Sequence, residues 1–220
     1  GTVSGTSISF GTEVVFDSVN TPWTAITYDA NAQKVVIAYI DFANSEHGTA
    51  VVGTVSGTSI SFGTPVVFNA AGIVYPTATY DSNTQKVAIA YGDVGNSTYG
   101  TVIVGTVSGT SISFGSEYVY NNGSTFWNSA VFDSSANRVV IAYQDAGSSN
   151  NGTASVFTVG STNLTSENYI GTAKSGAANG DGVVLNTQGN VDTGQTGLTA
   201  GQSYYVQTDG TLSTTAGDPS

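Results

Sequence analysis

The sequence lacks cysteine and has few charged side chains, and each of these shortages excludes some kinds of protein. Without cysteine, neither a disulfide framework nor a thiolate metal site can form. Charged residues make up 9% of the chain, against about 25% in ordinary globular domains. The surface must therefore be polar but uncharged. This composition is typical of extracellular adhesins, virion fibres and carbohydrate-facing proteins rather than of cytoplasmic enzymes.

Basic residues are scarce as well: four Lys and Arg stand against fifteen Asp and Glu, for a net charge of −11. Binding to nucleic-acid phosphates needs clustered Lys and Arg, so neither nucleic acid nor an anionic membrane surface is an expected partner. No apolar run approaches the roughly 20 residues of a membrane-spanning helix, and no basic-then-apolar leader is present, so membrane insertion is not expected. Because the chain opens with Gly1 inside a repeat, we expect a fragment of a longer protein or a chain whose recorded start is incomplete.

An internal repeat dominates what is present. The run GTVSGTSISFG occurs unchanged at residues 1–11, 53–63 and 105–115, so the offset is 52 both times. The same offset aligns Ile-Ala-Tyr triplets that begin at Ile37, Ile89 and Ile141. We therefore predict three 52-residue repeats, over 1–52, 53–104 and 105–156, within a repeat region that spans 1–159.

Each repeat contains four predicted strands, which in one copy cover 24–28, 34–39, 49–55 and 59–62. They are rich in β-branched and aromatic residues and are separated by Asx and glycine turns, and helix signals are missing. Four antiparallel strands in about 50 residues match one blade of a β-propeller, and a stacked β-sandwich array is the alternative. The predicted fold class is therefore all-β, with tandem four-stranded blades. The propeller is incomplete in this chain, because closure usually needs about 4 to 8 blades.

Two arrangements would supply the missing blades. Either further blades precede Gly1, or several chains complete the ring as a homo-oligomer. The register favours the first arrangement, because the chain opens in the last two strands of a unit whose first two strands are absent. The period fails near Ser155, and residues 160–220 are predicted to form a different, small β module with short strands at 168–173, 182–186 and 203–208. The final residues resemble an unfinished series of strands and turns, so we expect this module to be truncated.

The repeat resembles a known family. The segment KVVIAYxD, followed by a Gly-Asn-Ser loop and GTVSGTSISFGT, is similar to the propeller-like repeats of tail-fibre and tail-associated proteins in marine and other environmental bacteriophages. The stretches at 167–171, 197–205 and 208–212 look like a small β module that often ends such proteins. The resemblance covers nearly the whole chain and implies a virion fibre or host-contact role. Similar repeats also appear in bacterial surface proteins.

The chain lacks the residue sets that common enzyme mechanisms need. The one histidine, His47, lies in a loop whose equivalents in the other copies are Tyr99 and Asn151. Sialidases are propellers that hold an acidic sugar with several arginines, whereas Arg138 is the single arginine here. A glycosidase needs one pair of carboxylates about 5 to 10 Å apart, but the acids of this chain recur in every copy, which favours a structural role. We predict no catalytic residues.

The repeated acids have predicted structural roles. Three basic residues face an aspartate across a turn, and exposed hairpin-end ion pairs of this kind contribute about 0 to 1 kcal/mol. The predicted pairs are Lys34 with Asp29, Lys86 with Asp81, and Arg138 with Asp133.

Three oxygen-rich loops open with a further aligned set, Asp41, Asp93 and Asp145. Their composition could offer ligands to Ca²⁺, but they lack the dense acidic spacing of a calcium loop, and Asx turns explain them. No metal and no cofactor are predicted.

Three aromatic residues also align across the copies, in the connection that is expected to enter the first strand of each: Trp23, Tyr75 and Trp127. An aromatic ring beside hydroxyl and amide groups suits a sugar-binding platform, although aromatic rings also pack as wedges between sheets. The residues around them vary from copy to copy, which is typical of recognition loops on a fixed scaffold.

These observations predict a non-enzymatic segment of a virion tail fibre or similar surface adhesin, located on the virion surface or outside the cell. It would present loops to a host cell-surface glycan or protein, or to neighbouring virion or surface-protein subunits. The alternatives are a purely structural fibre or surface-filament component, and a non-catalytic part of a secreted carbohydrate-active enzyme. The predicted ligand-binding residues are Trp23, Tyr75, Trp127, Asp41, Asp93 and Asp145.

Overall fold

The chain is all-β. A computed structural model describes residues 2–160 and, beyond them, four two-residue strands. Contacts divide the chain into two compact units, Gly1–Val159 and Gly160–Ser220. The only helices in the described residues are three short 3-10 turns, and none of them is long or apolar enough to cross a membrane.

Thirteen strands form the first unit. They are β1 (Thr2–Ser4), β2 (Ser7–Ser9), β3 (Thr24–Asp29), β4 (Lys34–Asp41), β5 (His47–Ser56), β6 (Ser59–Phe62), β7 (Val66–Asp81), β8 (Lys86–Asp93), β9 (Tyr99–Ser108), β10 (Ser111–Phe114), β11 (Tyr118–Asp133), β12 (Arg138–Asp145) and β13 (Asn151–Phe157). The four strands predicted for one repeat agree with β3 to β6 to within two residues at each end.

The described part of the second unit consists of two small antiparallel pairs. In one, β14 (Thr172–Ala173) pairs with β15 (Leu185–Asn186), and in the other, β16 (Tyr205–Val206) pairs with β17 (Leu212–Ser213). The remaining residues of the predicted small module lie outside the described part of the chain, as do most residues of its predicted strands.

Eleven strands of the first unit form one antiparallel network. Its order is β13-β12-β11-β9-β8-β7-β5-β4-β3, with β6 on β5 and β10 on β9. The long strands β7 and β11 each pair with the preceding sheet along their first part and with the following sheet along the rest. The network therefore comprises a first sheet (β3 to β6 and the start of β7), a second sheet (the rest of β7, β8 to β10 and the start of β11) and a third sheet (the rest of β11, β12 and β13).

The long strands correct one prediction. The sequence indicated a connection before the first strand of each repeat, but residues 66–73 are part of β7, and Val66 and Val67 pair with Ala50 and Thr49 of β5. This pairing depends on a strand that lies earlier in the chain and on a register shift, so the local pattern does not reveal it. The four strands β3 to β6 begin at Thr24, where the strand prediction for one copy placed them.

The sheets pack face to face, and alternate residues of the middle central strand, β8, point to the first and to the third sheet. Val36, Ala38 and Ile40 of β4 share a buried cluster with Ile89 and Tyr91 of β8. A second cluster joins the opposite face of β8 to β12. Since both faces of β8 are covered, its apolar run need not alternate with polar residues.

The aligned isoleucines of the repeat are buried as predicted. Ile37, Ile89 and Ile141 each lie in the middle of a central strand and are at most 8% exposed. Within the described residues there is no closed barrel and no closed propeller.

Two glycines of the repeated run have conformations or neighbours that a side chain would disturb. Gly57 has a left-handed φ of +60° in the turn that joins β5 to β6. A Cβ on Gly63 would overlap the carbonyl oxygen of Thr110, which lies in the equivalent turn of the next sheet. Glycine is therefore required at Gly57 by a tight turn and at Gly63 by close backbone packing against the next sheet.

Candidate functional site

The three aligned aromatic residues meet in one continuous row. The ring centroids of Trp23 and Tyr75 are 5.0 Å apart, and those of Tyr75 and Trp127 are 4.2 Å apart, with tilted planes. Phe126 adds an edge-on contact to Tyr75 at 5.8 Å. These distances are within the range of favourable aromatic pairs.

The outer members of the row remain accessible. Trp23 is 38% exposed and Trp127 is 63% exposed, whereas Tyr75 is half-buried between them. The rings are thus partly exposed rather than wholly buried wedges. Trp127 is therefore the most exposed ring of the row, and Tyr75 lies on one side of it.

A backbone irregularity places Tyr75 and Trp127 in this row. Both residues lie where the pairing of their long strand shifts register, and both have positive φ angles, of 50° and 56°. Left-handed backbone is unfavourable for bulky residues and persists where surrounding contacts impose it. Here Asn128 supplies such a contact, because its side-chain amide donates a 3.0 Å hydrogen bond to the carbonyl oxygen of Tyr75.

The predicted aspartates lie at the same end of the sheets as the aromatic row. Ile73 pairs with Asp93, and Thr125 pairs with Asp145, each close to the bulge residue of its strand. Asp41, Asp93 and Asp145 each precede a 3-10 turn. The structure therefore brings the two predicted sets of residues to one edge.

The aspartates organise their turns to different degrees. Asp41 Oδ1 accepts hydrogen bonds from the backbone amides of Ala43 at 3.0 Å and Asn44 at 3.1 Å. Asp93 and Asp145 make no such side-chain cap. The Asx-turn interpretation thus describes Asp41 directly, while the other two carboxylates occupy the same place in the loop without its hydrogen bonds.

Asp93 lies in an acidic cleft that sequence reasoning missed. A cleft of about 510 Å³ is lined by Asn69, Asp93 and Glu117, among others. Glu117 Oε1 accepts hydrogen bonds from the Tyr91 hydroxyl at 2.7 Å and from the Asn69 amide at 2.8 Å. The repeat pattern gave little signal, because Glu117 aligns with Glu13 and Pro65 and so looks like one of several polar or turn residues at a variable position.

The surroundings of the cleft raise the pKa values of two of its ionisable groups. Burial, followed by the negative charge of Glu117, raises the pKa of Asp93. The nearby backbone amides of Gly95 and Asn96 oppose this shift but do not make a side-chain cap. Burial and the contact with Glu117 also raise the pKa of Tyr91 well above its usual range. Within the described residues, no group of three or more His, Cys, Asp or Glu side chains could hold a metal ion.

The predicted hairpin-end ion pairs are replaced by other contacts in the second and third sheets. The ammonium group of Lys86 donates to Thr106 Oγ1 at 2.9 Å, and the guanidinium of Arg138 donates to two backbone carbonyls of its own turn. The carboxylates of Asp81 and Asp133 instead accept hydrogen bonds from backbone amides of their turns. A turn amide is a closer partner for a short side chain than a long, mobile base.

Similarity to other proteins gives no family for this chain. No protein-family model matches it, and no curated protein matches it. The functional argument therefore rests on the aromatic row, the aspartate loops and the arrangement of the repeats.

Proposed function

We propose that this chain is a non-enzymatic segment of a virion tail fibre or similar surface adhesin that binds a host-surface glycan through its aromatic row. The observation that carries the proposal is the row itself: three equivalent aromatic residues converge at one edge, and Trp127 keeps an open ring face. Such a face stacks on the apolar side of a sugar ring. Hydroxyl and amide groups of nearby exposed residues, including Ser129, would bond the sugar hydroxyls.

The proposal includes a propeller-type arrangement of blades. Its support is that successive sheets pack face to face and repeat every 52 residues, while their first strands approach closely. The backbone amide of Ala130 on β11 donates a 3.1 Å hydrogen bond to Thr77 Oγ1 on β7. Converging inner strands are what blades around a common axis require.

Charge narrows the class of glycan. The net charge of −11 and the carboxylates at this edge repel anionic sugars, and no Lys or Arg takes part in the aromatic row. A neutral glycan is therefore the expected ligand, and sialylated or sulfated glycans are expected to bind poorly.

Binding to a panel of immobilised neutral and anionic polysaccharides, measured for the intact chain and for Trp127→Ala, tests the proposal. We expect the substitution to reduce neutral-glycan binding about tenfold, by analogy with the stacking of a nucleic-acid base on an aromatic side chain, which contributes on the order of 1–3 kcal/mol. Tyr118→Ala is the matched control, because Tyr118 is 64% exposed on the same strand but lies outside the row. Equal binding by all three proteins, or no binding to any glycan, would reject the glycan role.

A further inference from the structure

Two nearly identical segments of the sequence occupy different environments in the fold. Residues 121–124 read NNGS and residues 150–153 read NNGT, so each contains an asparagine followed by a glycine. Asn122 and Asn151, the asparagines of these two pairs, are both exposed to solvent. Local sequence and access to water are thus matched, and the two pairs differ in the backbone that carries them.

The first pair lies in a gap of the strand ladder. Strand β11 pairs with β9 on either side of Asn122 and Gly123, and neither residue has a ladder partner in the described part of the chain. The same gap occurs one repeat earlier, at Ala70 and Ala71 of β7, and Ala70 is exposed as well. The gap and the exposure therefore belong to this position of the repeat, not to an end of the chain.

The second pair lies in a regular ladder. Asn151 pairs with Asp145 and Gly152 pairs with Gln144, in consecutive register along β12 and β13. Residues paired in this way share backbone hydrogen bonds with the neighbouring strand, so rotating Asn151 out of its extended conformation breaks such bonds. Rotation of Asn122 breaks no ladder pair.

An asparagine that precedes a glycine can lose its side-chain amide by ring closure. The backbone nitrogen of the glycine attacks the side-chain carbonyl carbon, a C–N bond forms, and the side-chain nitrogen leaves as ammonia with the proton of the backbone amide. Water then opens the cyclic imide at either carbonyl and gives aspartate or isoaspartate. Glycine permits the closure because it has no side chain to obstruct the approach, whereas an extended, paired backbone holds the reacting atoms apart.

We propose that Asn122 is a modification site at which the folded protein deamidates spontaneously to aspartate and isoaspartate. The reaction needs only water as a co-reactant, and water reaches the exposed side chain. Each event adds one negative charge to a chain whose net charge is already −11. Older protein therefore contains a growing, more acidic population. The inference does not depend on glycan binding.

The isoaspartate product should also disturb the surrounding fold. The carbonyl oxygen of Gly123 accepts hydrogen bonds from Thr125 Oγ1 at 3.0 Å and from the side-chain amide of Asn121 at 3.3 Å. Gly123 also lies close to the loop after β12, since a Cβ on it would be 2.9 Å from Asp145 Oδ1. Isoaspartate inserts one methylene group into the backbone just before Gly123, so these contacts cannot all be kept. Aspartate leaves the backbone length unchanged.

Peptide mapping by mass spectrometry tests the proposal, because it follows each asparagine separately while the intact chain is incubated in mildly alkaline buffer. We expect Asn122 to deamidate about tenfold faster than Asn151, a rate ratio that corresponds to roughly one backbone hydrogen bond. In urea, where the ladder is lost, the two pairs should react at similar rates because their local sequences match. Asn122→Gln is the control: its longer side chain closes the ring much more slowly, so residue 122 should stay unmodified while Asn151 reacts as before.

Three results would overturn the proposal. They are an Asn122 that stays intact in the folded chain, an Asn151 that reacts there at the same rate or faster, and a difference between the two sites that persists in urea.

Unfolding of the products, separated by ion exchange, tests the structural consequence. The isoaspartate form should unfold at a lower urea concentration than the Asn122→Asp variant, which should resemble the intact chain. Equal midpoints for the two would contradict the packing assigned to Gly123.

Discussion

The hydroxyl of Tyr91 donates a 2.7 Å hydrogen bond to Oε1 of Glu117, and the same oxygen accepts a hydrogen bond from Asn69. Tyr91 is fully buried on β8, whereas Glu117 lies in the segment between β10 and β11. One carboxylate thus provides the acceptor for donors on two different strands. Pro65 stands at the position of Glu117 one repeat earlier, and the buried hydroxyl of Tyr39, which is equivalent to Tyr91, has no hydrogen-bond partner among the described residues.

Glu117→Ala should destabilise the protein by about 1–3 kcal/mol, because the buried Tyr91 hydroxyl loses its acceptor. Glu117→Gln keeps an acceptor oxygen and should cost less. Urea unfolding monitored by circular dichroism measures both changes. Glu13 occupies the equivalent repeat position but is exposed, so Glu13→Ala should alter stability by no more than about 0.5 kcal/mol. Equal effects of Glu13→Ala and Glu117→Ala would contradict the assigned hydrogen bonds.

Asp93 should make the protein less stable as the pH rises. Its pKa is raised in the folded state, so between the unfolded value near 3.9 and the higher folded value the folded chain binds more protons. The contribution of this group is therefore fully present below the unfolded value and is lost as the pH rises through the folded one.

Asp93→Asn removes this titration. Its stability relative to the intact chain should improve on going from acidic to neutral pH, as measured by urea unfolding at a series of pH values. A difference between the two proteins that does not vary with pH would show that the Asp93 carboxyl titrates alike in the folded and unfolded chains.

Trp127→Gly should be more stable than Trp127→Ala, the reverse of the usual order in a strand. The residue has a φ of 56°, where a Cβ costs roughly 1–2 kcal/mol and glycine adopts the conformation freely. Val119 on the same strand has no positive φ, so Val119→Gly should be less stable than Val119→Ala by about 0.5–1 kcal/mol. Thermal unfolding of the four variants tests the bulge, and the same order at both positions would contradict it.

Gly63→Ala should destabilise the protein by at least about 1–3 kcal/mol, because the new methyl group would overlap the Thr110 carbonyl oxygen and force the backbones apart. Gly115 is the equivalent residue of the next repeat, but a Cβ there would approach no described atom more closely than 3.8 Å. Gly115→Ala should therefore be nearly neutral. Chemical unfolding of the two variants makes the comparison, and similar losses would point to a backbone effect common to both sites.

The parts of the fold that depend on neighbours along the chain could be predicted. The hairpin between β3 and β4 follows from the Asx turn at Asp29, whose carboxylate accepts hydrogen bonds from Asn31 and Ala32, and the Gly57 turn fixes the hairpin between β5 and β6. The first part of β7 could not be predicted, because Val66 and Val67 pair with β5 across an irregular register. Nothing in their local pattern distinguishes that pairing from a loop.

For the candidate site, too, one part could be predicted from the sequence and another part could not. Alignment of the repeats showed that Trp23, Tyr75 and Trp127 are equivalent, yet equivalence at 52-residue spacing does not state whether the rings touch. Their contact depends on how sheets pack and on the bulges in β7 and β11. Glu117 was missed because its partners, Tyr91 and Asn69, belong to strands 26 and 48 residues away.

The shared strands β7 and β11 also determine how such a chain can change its length. Each begins as the last strand of one sheet and continues as the first strand of the next. A duplication or deletion of 52 residues would rejoin two equivalent half-strands and leave every register intact. An insertion of one residue within such a strand would turn inward side chains outward along the rest of it. An exchange between the identical runs at 1–11, 53–63 and 105–115 would therefore add or remove whole structural units and keep the pairing of every remaining strand.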